Sequence, residues 1–367
     1  MVIHKIAIST GGGDAPGLNA VIRATVLSAL NRGWECVGIR EGYNGLLAPD
    51  QFDGNGLVCL TREAVHGITQ LGGTILGTTN RGNPMRFPVK AADGTVTECD
   101  RTDALIDSFR AHNIDALVSI GGDGSLGIAA VLAQKGLRVI GVPKTIDNDL
   151  DGTVITFGFD TAVSFATECI DRLHSTADAH RRVMVVEVMG RYAGWIALNA
   201  GVSATADAIL IPEVPYDLAR VAEKIVRCER EGQKHAIVVV AEGAKAKGGA
   251  TSVLGKRAAG GVERLAGAGE RITEEIEKLT GREVRCVVLG HLLRGGTPTT
   301  FDRLLALRFG AAAVRAIEEG QSGVMVALDP PTVKYVPLDE ATRRMKVVPL
   351  DSDTMKTARD LDICFGD

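Results

Sequence analysis

The sequence predicts an α/β protein with two lobes, each built on a mainly parallel sheet flanked by helices. Short apolar runs rich in β-branched residues alternate with stretches of helical periodicity along most of the chain. Several of these runs end in a glycine-rich turn that leads into a helix, the strand-loop-helix order of a Rossmann-like sheet. The chain has 367 residues, which exceeds what one hydrophobic core usually accommodates, so two lobes are expected.

The predicted elements follow one another in a regular order. A strand at the N-terminus leads through a glycine turn to a helix from Asn19 to Asn31, which ends at Gly33. The order recurs around a second helix, from about Leu126 to Lys135. Strands are predicted at Lys5 to Ser9, Ala116 to Ile120, Arg138 to Val142, Val183 to Val188, Ala208 to Ile211, Ala236 to Val240, Val284 to Leu289 and Val324 to Ala327. This alternation predicts parallel strands with helices on both faces of each sheet.

Composition and charge exclude several classes of protein. Hydrophobic residues make up 45% of the chain and charged residues 23%, a balance that argues against disorder. The formal net charge of −4 argues against a broad basic surface for nucleic acid or an anionic membrane. The N-terminus lacks a signal-peptide pattern and no run of 18 apolar residues occurs, so we expect a cytoplasmic protein. The seven cysteines form no CxxC pair and are expected to be reduced core thiols.

Two glycine-rich turns are candidate phosphate-binding loops. They are GGGDAPG at Gly11 to Gly17 and GGDGS at Gly121 to Ser125, and each follows a strand and precedes a helix. Such turns expose backbone N–H groups beside a helix N-terminus, and both features favour a phosphate. An acid beside a phosphate repels it unless a divalent cation intervenes, so Asp123 is a candidate Mg2+ ligand. A helix-capping role for Asp123 is the alternative.

An acidic cluster follows the strand that ends near Val142. Asp147, Asp149 and Asp151 lie within VPKTIDNDLDGT. Acid clusters in loops are often solvated turns, which remains an open alternative. Because the carboxyl ends of parallel strands form the usual ligand edge of an open sheet, the cluster is expected near the two glycine turns. A carboxylate there can accept the proton of an attacking hydroxyl.

Six ordered motifs resemble the 6-phosphofructokinase family, and they extend over most of the chain. They are GGGDAPGLNAVIR, GGDGS, PKTIDNDL, VVEVMGRYAGW, ILIPE and VLGHLLRGGTP. The resemblance implies transfer of a phosphoryl group from ATP to the 1-hydroxyl of fructose 6-phosphate, with Mg2+. NAD kinases and diacylglycerol kinases share GGDG(S/T) but lack TIDND and MGR. A non-catalytic sugar-phosphate-binding subunit is a further alternative, although the residues that decayed relatives lose are all present here.

The resemblance also implies roles for individual residues. Asp147 is the general base, Thr145 and Asp149 flank it, and Arg191 is the transition-state arginine. Substrate contacts are implied for Thr145, Ile146, Asp147, Arg182, Met189, Gly190, Arg191, Glu242, Arg285, His291 and Arg294. Of these, Arg182 and Arg285 are implied to reach the 6-phosphate from a neighbouring subunit. Arginine suits this role because its planar guanidinium binds phosphate oxygens bidentately. Taken singly, Arg182 reads as a solvated strand end and His291 as a core histidine.

The prediction of the phosphoryl donor rests on Gly124 and Lys144. Pyrophosphate-using relatives carry Asp at the position of Gly124, where a carboxylate repels a nucleotide α-phosphate, so glycine favours ATP. Lys144 also occurs in pyrophosphate-dependent members, and pyrophosphate remains the alternative donor. The implied nucleotide contacts are Gly13, Tyr43, Arg81, Gly122, Asp123, Gly124, Ser125 and Lys144. Arg81 is shifted by one position relative to the bacterial LGSAR pattern.

The resemblance implies lobes of different function. Residues 1–158 with about 293–343 form the expected nucleotide-binding lobe, and about 159–292 form the fructose 6-phosphate-binding lobe. Residues 344–367 form a C-terminal extension, and the active site is expected in the cleft between the lobes. Arginines supplied by a neighbour imply a homotetramer or homodimer.

The effector site of bacterial members is expected to be largely lost. Only Arg62 and Lys234 remain basic at its positions, and the others hold Leu27, His174, Glu231 and Gln233. A site without most of its cations binds a multiply charged anion poorly.

The segment Ala244 to Gly269 is rich in Gly, Ala and Lys. It predicts a mobile surface connection, with a binding loop as the alternative.

Overall fold

The computed structural model describes residues 2–90, 95–249 and 267–367. Contacts divide the chain into two compact units. The first comprises Met1–Thr145, Leu150–Gly158 and Arg294–Met345, and the second comprises Ile146–Asp149, Phe159–Leu293 and Lys346–Asp367. The predicted C-terminal extension is thereby divided between the units, and residues 146–149 belong to the second unit. The nucleotide- and sugar-binding roles of the two lobes stay predictions.

The first unit contains a seven-stranded sheet with five parallel strands at its centre. In spatial order its strands are β13 (Thr332–Pro337), β12 (Val324–Asp329), β7 (Val139–Pro143), β6 (Ala116–Gly121), β1 (Lys5–Thr10), β2 (Glu35–Ile39) and β3 (Leu57–Cys59). The two edge strands, β13 and β3, pair antiparallel to their neighbours. A separate hairpin pairs β4 (Phe87–Lys90) with β5 (Val96–Cys99).

Helices cover both faces of this sheet because its strands are apolar on both sides. The helices are α1 (Leu18–Leu30), α2 (Asn44–Leu47), α3 (Thr102–Ala111), α4 (Asp123–Gln134), α9 (Thr300–Glu318) and α10 (Leu338–Ala341). Along β1, Ile6 and Ile8 join a core with α1 and α9, whereas Ala7 faces a second core with α3 and α4. Each large side chain fully buried in this way stabilises the fold by roughly 1.5–3 kcal/mol.

The second unit contains a four-stranded sheet in which every strand is parallel. Its spatial order is β11 (Val284–Val288), β8 (Val183–Val188), β10 (Ala236–Ala241) and β9 (Ala208–Leu210). The helices are α5 (Phe159–His180), α6 (Trp195–Ser203), α7 (Leu218–Arg230), α8 (Ala268–Thr280) and α11 (Asp353–Asp360). Helices α7 and α8 pack on one face of the sheet, and α5 and α6 contact the strands from the other.

The predicted α/β class is confirmed, and so are the eight predicted strands and two helices, whose ends move by at most three residues. The prediction missed β2, β3, β13 and the hairpin.

The cysteine prediction is wrong in part, because Cys59 and Cys99 are exposed, although all seven thiols are free. Of the predicted mobile connection, residues 250–266 lie outside the described residues, and Ala268 and Gly269 begin α8. No described helix is both long and apolar enough to cross a membrane.

The close packing of α1 on α9 gives a stability prediction. A Cβ on Gly310 would lie 2.5 Å from the carbonyl oxygen of Val21 and 2.9 Å from the Cβ of Ala24. We therefore expect Gly310→Ala to lower the free energy of unfolding by about 1–3 kcal/mol through overpacking.

The matched control is Gly127→Ala in α4, where an added Cβ meets nothing within 4 Å. That change should raise stability by roughly 0.5–1 kcal/mol, the usual gain of Ala over Gly inside a helix. Unfolding in urea at one protein concentration measures both variants. Equal midpoints for the two variants would contradict the close packing described for α1 and α9.

Candidate active site

The two glycine-rich turns of the first unit pack directly against each other. They follow β1 and β6, which are parallel neighbours, so both turns leave the same edge of the sheet. Gly11 N–H donates to the carbonyl of Ile120 at 3.0 Å. Ser125 fills the space between the turns, and a Cβ on Gly11 would lie 2.6 Å from its Oγ. A side chain on Gly121 would also collide with Ser125. Glycine at these positions therefore lets the two backbones approach closely.

Lys144 brings a third strand end to the same place. It follows β7, is only 3% exposed, and its Nζ donates to the carbonyl of Gly13. Its backbone N–H donates to the carbonyl of Gly121 at 2.9 Å. A buried ammonium beside two glycine turns supplies fixed positive charge, which suits a phosphate group.

The N-terminus of α4 begins within the second glycine turn. Gly122 is the N-cap and makes no side-chain capping hydrogen bond, and Asp123 is the first helical residue, so Asp123 is not the N-cap residue. The first turn of a helix offers N–H groups and a positive dipole end to an anion. Gly124 is exposed, and a Cβ added there would meet nothing within 4 Å. The structure therefore leaves open space at the position on which the donor prediction rests.

The remaining predicted residues of this unit differ in their placement. Arg294 donates from Nη1 to the carbonyl of Asp14 at 3.1 Å and thus lies against the first glycine turn. Arg81 is exposed in the segment whose Thr79 carbonyl accepts from Gly12 N–H at 3.1 Å. Tyr43 is buried in a hydrophobic core with its hydroxyl 3.4 Å from Ser119 Oγ, and burial raises the pKa of Tyr43 to about 12. A nucleotide contact of Tyr43 stays a prediction.

The acidic segment Ile146–Asp149 belongs to the second unit. Ile146 is fully buried, whereas Asp147 and Asp149 on alternate positions are partly buried. Asn148, between the two acids, has a left-handed φ of 51°. Within the described part of the chain, Oδ1 of Asp149 is buried without a hydrogen-bond partner. An unsatisfied buried carboxylate oxygen is costly, so it is suited to accept from a ligand.

Three strand ends of the second sheet carry five of the residues predicted to bind the sugar. Met189, Gly190 and Arg191 follow β8, Glu242 follows β10, and His291 follows β11 in the 3-10 helix Gly290–Arg294. Glu242 N–H donates to the carbonyl of Val188 at 2.9 Å, which ties the first two ends together. His291 is exposed, so it is not a core histidine. The guanidinium of Arg191 lies 5.7 Å from the centre of the Tyr192 ring.

Arg182 and Arg285 lie near the N-terminal ends of the strands of this sheet, opposite to the ends just described. Arg182 precedes β8 and Arg285 is the second residue of β11. Strand β8 is six residues long, which separates Arg182 from the residues beyond its other end by about 17 Å or more. Both arginines form ion pairs with Glu283, at 2.8 Å from Arg182. These ion pairs hold the pKa of Glu283 below its usual value.

Residues at the positions aligned with the bacterial effector site form hydrogen bonds within the protein. His174 contacts His235 through Nδ1 at 3.0 Å and the carbonyl of Ala204 through Nε2 at 2.8 Å. Gln233 donates to Oδ1 of Asp207 at 2.7 Å. In the first unit, Arg62 donates to Asn31. The absence of effector binding stays a prediction.

Two residues that contact predicted site residues were not found from the sequence. Glu283 pairs with both phosphate-binding candidates, and the spacing of Glu283 and Arg285 on alternate strand positions was a usable signal. Lys346 donates to the Oδ1 of Asn148 at 2.9 Å, and no local pattern connects residues so far apart in sequence.

The described residues contain no group of three or more His, Cys, Asp or Glu side chains that could hold a metal ion on their own. Mg2+ usually keeps several waters and binds one or two carboxylates together with substrate phosphates. The exposed carboxylate of Asp123 beside the glycine turns fits that mode of binding.

Comparison with known proteins gives matches over the whole chain. A family model described as Phosphofructokinase matches residues 5–317. The chain is 49% identical over 364 residues to "ATP-dependent 6-phosphofructokinase" of Chloroflexus aurantiacus, covering 99% of this chain and 98% of that one. It is 47% identical over 349 residues to "Pyrophosphate--fructose 6-phosphate 1-phosphotransferase" of Amycolatopsis mediterranei, covering 95% and 97%.

Solved structures have the same fold. The crystal structure of Pichia pastoris phosphofructokinase in the T-state matches with a TM-score of 0.78 and 30% identity, and the chain covers 37% of that longer chain. The pyrophosphate-dependent phosphofructokinase of Nitrosospira multiformis matches with a TM-score of 0.81 and 21% identity, covering 100% of this chain and 93% of that one. With its two parallel sheets, its glycine turns and this extent of similarity, the chain belongs to the phosphofructokinase family.

Proposed function

We propose that the protein is an ATP-dependent 6-phosphofructokinase, which transfers the γ-phosphoryl group of ATP to the 1-hydroxyl of fructose 6-phosphate. The observation that carries this proposal is the strand end at β7. There Lys144 lies against the glycine turns, and the chain continues through Thr145 and Ile146 to the acid Asp147. The candidate base thus follows the candidate phosphate-binding lysine by three positions in the chain. The ATP-dependent names of several relatives with 44–49% identity support the same donor.

In the proposed reaction, the 1-hydroxyl oxygen attacks the γ-phosphorus, its proton passes to Asp147, and ADP leaves. Phosphoryl transfer depends mainly on positioning and charge stabilisation. Thr145 and Asp149 flank the base and orient the phosphoryl group, and Arg191 stabilises charge on its oxygens. Asp123 would hold Mg2+, and the bound cation would supply charge neutralisation for the donor phosphates. Met189, Gly190, Glu242, His291 and Arg294 bind the sugar.

A substrate site shared between copies of the chain follows from the position of the two arginines. Arg182 and Arg191 lie beyond opposite ends of β8, about 17 Å or more apart along the strand. This separation favours contacts of the two arginines with two different sugar-phosphate molecules. We therefore infer a homo-oligomer, a homodimer or homotetramer, in which Arg182 and Arg285 bind the 6-phosphate held by a neighbouring copy. Because both arginines now pair with Glu283, the phosphate competes with this carboxylate.

Pyrophosphate is the second candidate donor, and Lys144 is the residue that favours it. Its ammonium lies at the first glycine turn, where it could bind a small inorganic anion. Gly124 argues for ATP, because the space beside it is open for an α-phosphate and ribose. Repulsion between anions at close range is a stronger discriminator than one added cation.

As a glycolytic enzyme, the protein is expected in the cytoplasm.

Asp147→Asn tests the base. We expect kcat to fall by roughly 10²- to 10⁴-fold, because the amide cannot accept the proton, while the KM for fructose 6-phosphate changes little. A coupled assay for fructose 1,6-bisphosphate measures both constants. The control is Asp107→Asn, which makes the same change at an exposed carboxylate of α3 and should retain kcat. Wild-type turnover in Asp147→Asn would remove the base assignment.

Gly124→Asp tests the donor. A carboxylate roughly 4 Å from the α-phosphate would repel it by about 4 kcal/mol at an intermediate dielectric constant, a loss of about 10³-fold in kcat/KM for ATP. Gly124→Ala is the matched control, because a Cβ there meets no protein atom within 4 Å. Any pyrophosphate-dependent activity should survive in Gly124→Asp. Equal losses in the two variants, or an unchanged kcat/KM for ATP in Gly124→Asp, would show that charge at this position does not select the donor.

A further inference from the structure

A short C-terminal segment lies alongside the acidic loop. Met345 forms an isolated antiparallel bridge with Leu150. One residue earlier, Arg344 forms an ion pair with Asp151, and one residue later, Lys346 N–H donates to the carbonyl of Asp149 at 2.9 Å. The segment therefore runs antiparallel to the residues that directly follow the candidate base.

Within this segment, Lys346 contacts the residue that directly follows the candidate base. Its Nζ donates to Oδ1 of Asn148 at 2.9 Å, and Asn148 lies between Asp147 and Asp149. The same ammonium lies 5.6 Å from the centre of the Trp195 ring, and the Lys346 carbonyl accepts from Trp195 Nε1 at 3.0 Å. Trp195 of α6 and the acidic loop therefore each contact both the backbone and the side chain of Lys346.

The conformation of Asn148 explains why such a contact is needed. Its φ of 51° is left-handed, a conformation that is unfavourable for a non-glycine residue. Asn tolerates this region best when its short side chain is hydrogen-bonded. This backbone turn sets the directions in which Asp147 and Asp149 leave the chain. A displacement of about 1 Å in a reacting group can lower a rate by about 10²-fold.

We propose that Lys346 is a positioning residue for phosphoryl transfer, which holds Asn148 in its left-handed conformation and so aims the carboxylates on either side of it. The inference rests on the proposed function and adds a residue to its site. Lys346 acts through Asn148, and substrate affinity does not depend on it. Its removal should therefore lower kcat and leave both KM values nearly unchanged.

Lys346→Met tests the inference, because it removes the ammonium and keeps an unbranched side chain. We expect kcat to fall by roughly 10- to 100-fold. Lys346→Arg, which can donate to Asn148 again, should retain more activity than Lys346→Met. The matched control is Lys356→Met, an exposed lysine of α11, which should keep wild-type kcat.

A double-mutant cycle with Asn148→Gly isolates the proposed route. Glycine adopts a left-handed φ without a side-chain contact, so Lys346→Met should have little further effect on kcat in that background. The inference is overturned if Lys346→Met has wild-type kcat, or if its loss is equally large with Asn148→Gly. It is also overturned if kcat falls only in proportion to a lower unfolding midpoint. Absence of fructose 1,6-bisphosphate formation by the wild-type protein would instead refute the proposed function.

Discussion

Parallel strand pairing is the constraint on which the candidate site depends. In a parallel sheet every strand ends at the same edge, and the chain must return through a helix before the next strand begins. In the first unit this brings the segments after β1, β6 and β7 together, and in the second it gathers those after β8, β10 and β11. Because each helix returns the chain to the start of the next strand, loops that are far apart in the sequence lie side by side at one end of the sheet.

In the first unit, backbone groups contribute more than side chains to the candidate phosphate site. Gly11 and Gly121 leave room only for Ser125, so the two turns lie close together and their N–H groups share one edge. The buried ammonium of Lys144 adds charge from the third strand. Asp123 brings a carboxylate to the same loops, and a carboxylate repels a phosphate unless a divalent cation lies between them, which is why Asp123 stays a predicted Mg2+ ligand.

Much of this architecture could be predicted from sequence because its signals are local. An apolar run, a glycine turn and a helical period identify β1 and α1 or β6 and α4 without knowledge of their neighbours. The same rule fails for β3 and β5, which are three and four residues long, contain no buried residue, and are defined by the strands with which they pair. Strand β2 was missed although it lies inside the sheet, because its five residues include Glu35 and Gly38.

The site was predictable where the residues belong to ordered motifs and unpredictable where contacts cross long separations. Motifs predict roles for Asp147, Arg191 and Glu242, and these roles stay predictions, but motifs do not show that Lys346 donates to Asn148 across 198 residues. They also did not indicate that Tyr43 lies in a core or that Glu283 pairs with two arginines. Such contacts follow from how elements pack, and that packing is set by the whole chain.

The central claim is that this chain moves the terminal phosphoryl group of ATP to the 1-hydroxyl of fructose 6-phosphate. Phosphorus-31 NMR tests it directly on the purified wild-type protein with Mg2+, fructose 6-phosphate and ATP. The account predicts that the γ-phosphate resonance disappears while ADP and a new resonance of a sugar 1-phosphate appear in equal amounts. A parallel sample with pyrophosphate should change far more slowly. Unchanged ATP beside consumption of pyrophosphate, or release of inorganic phosphate without a 1-phosphate, would contradict the account.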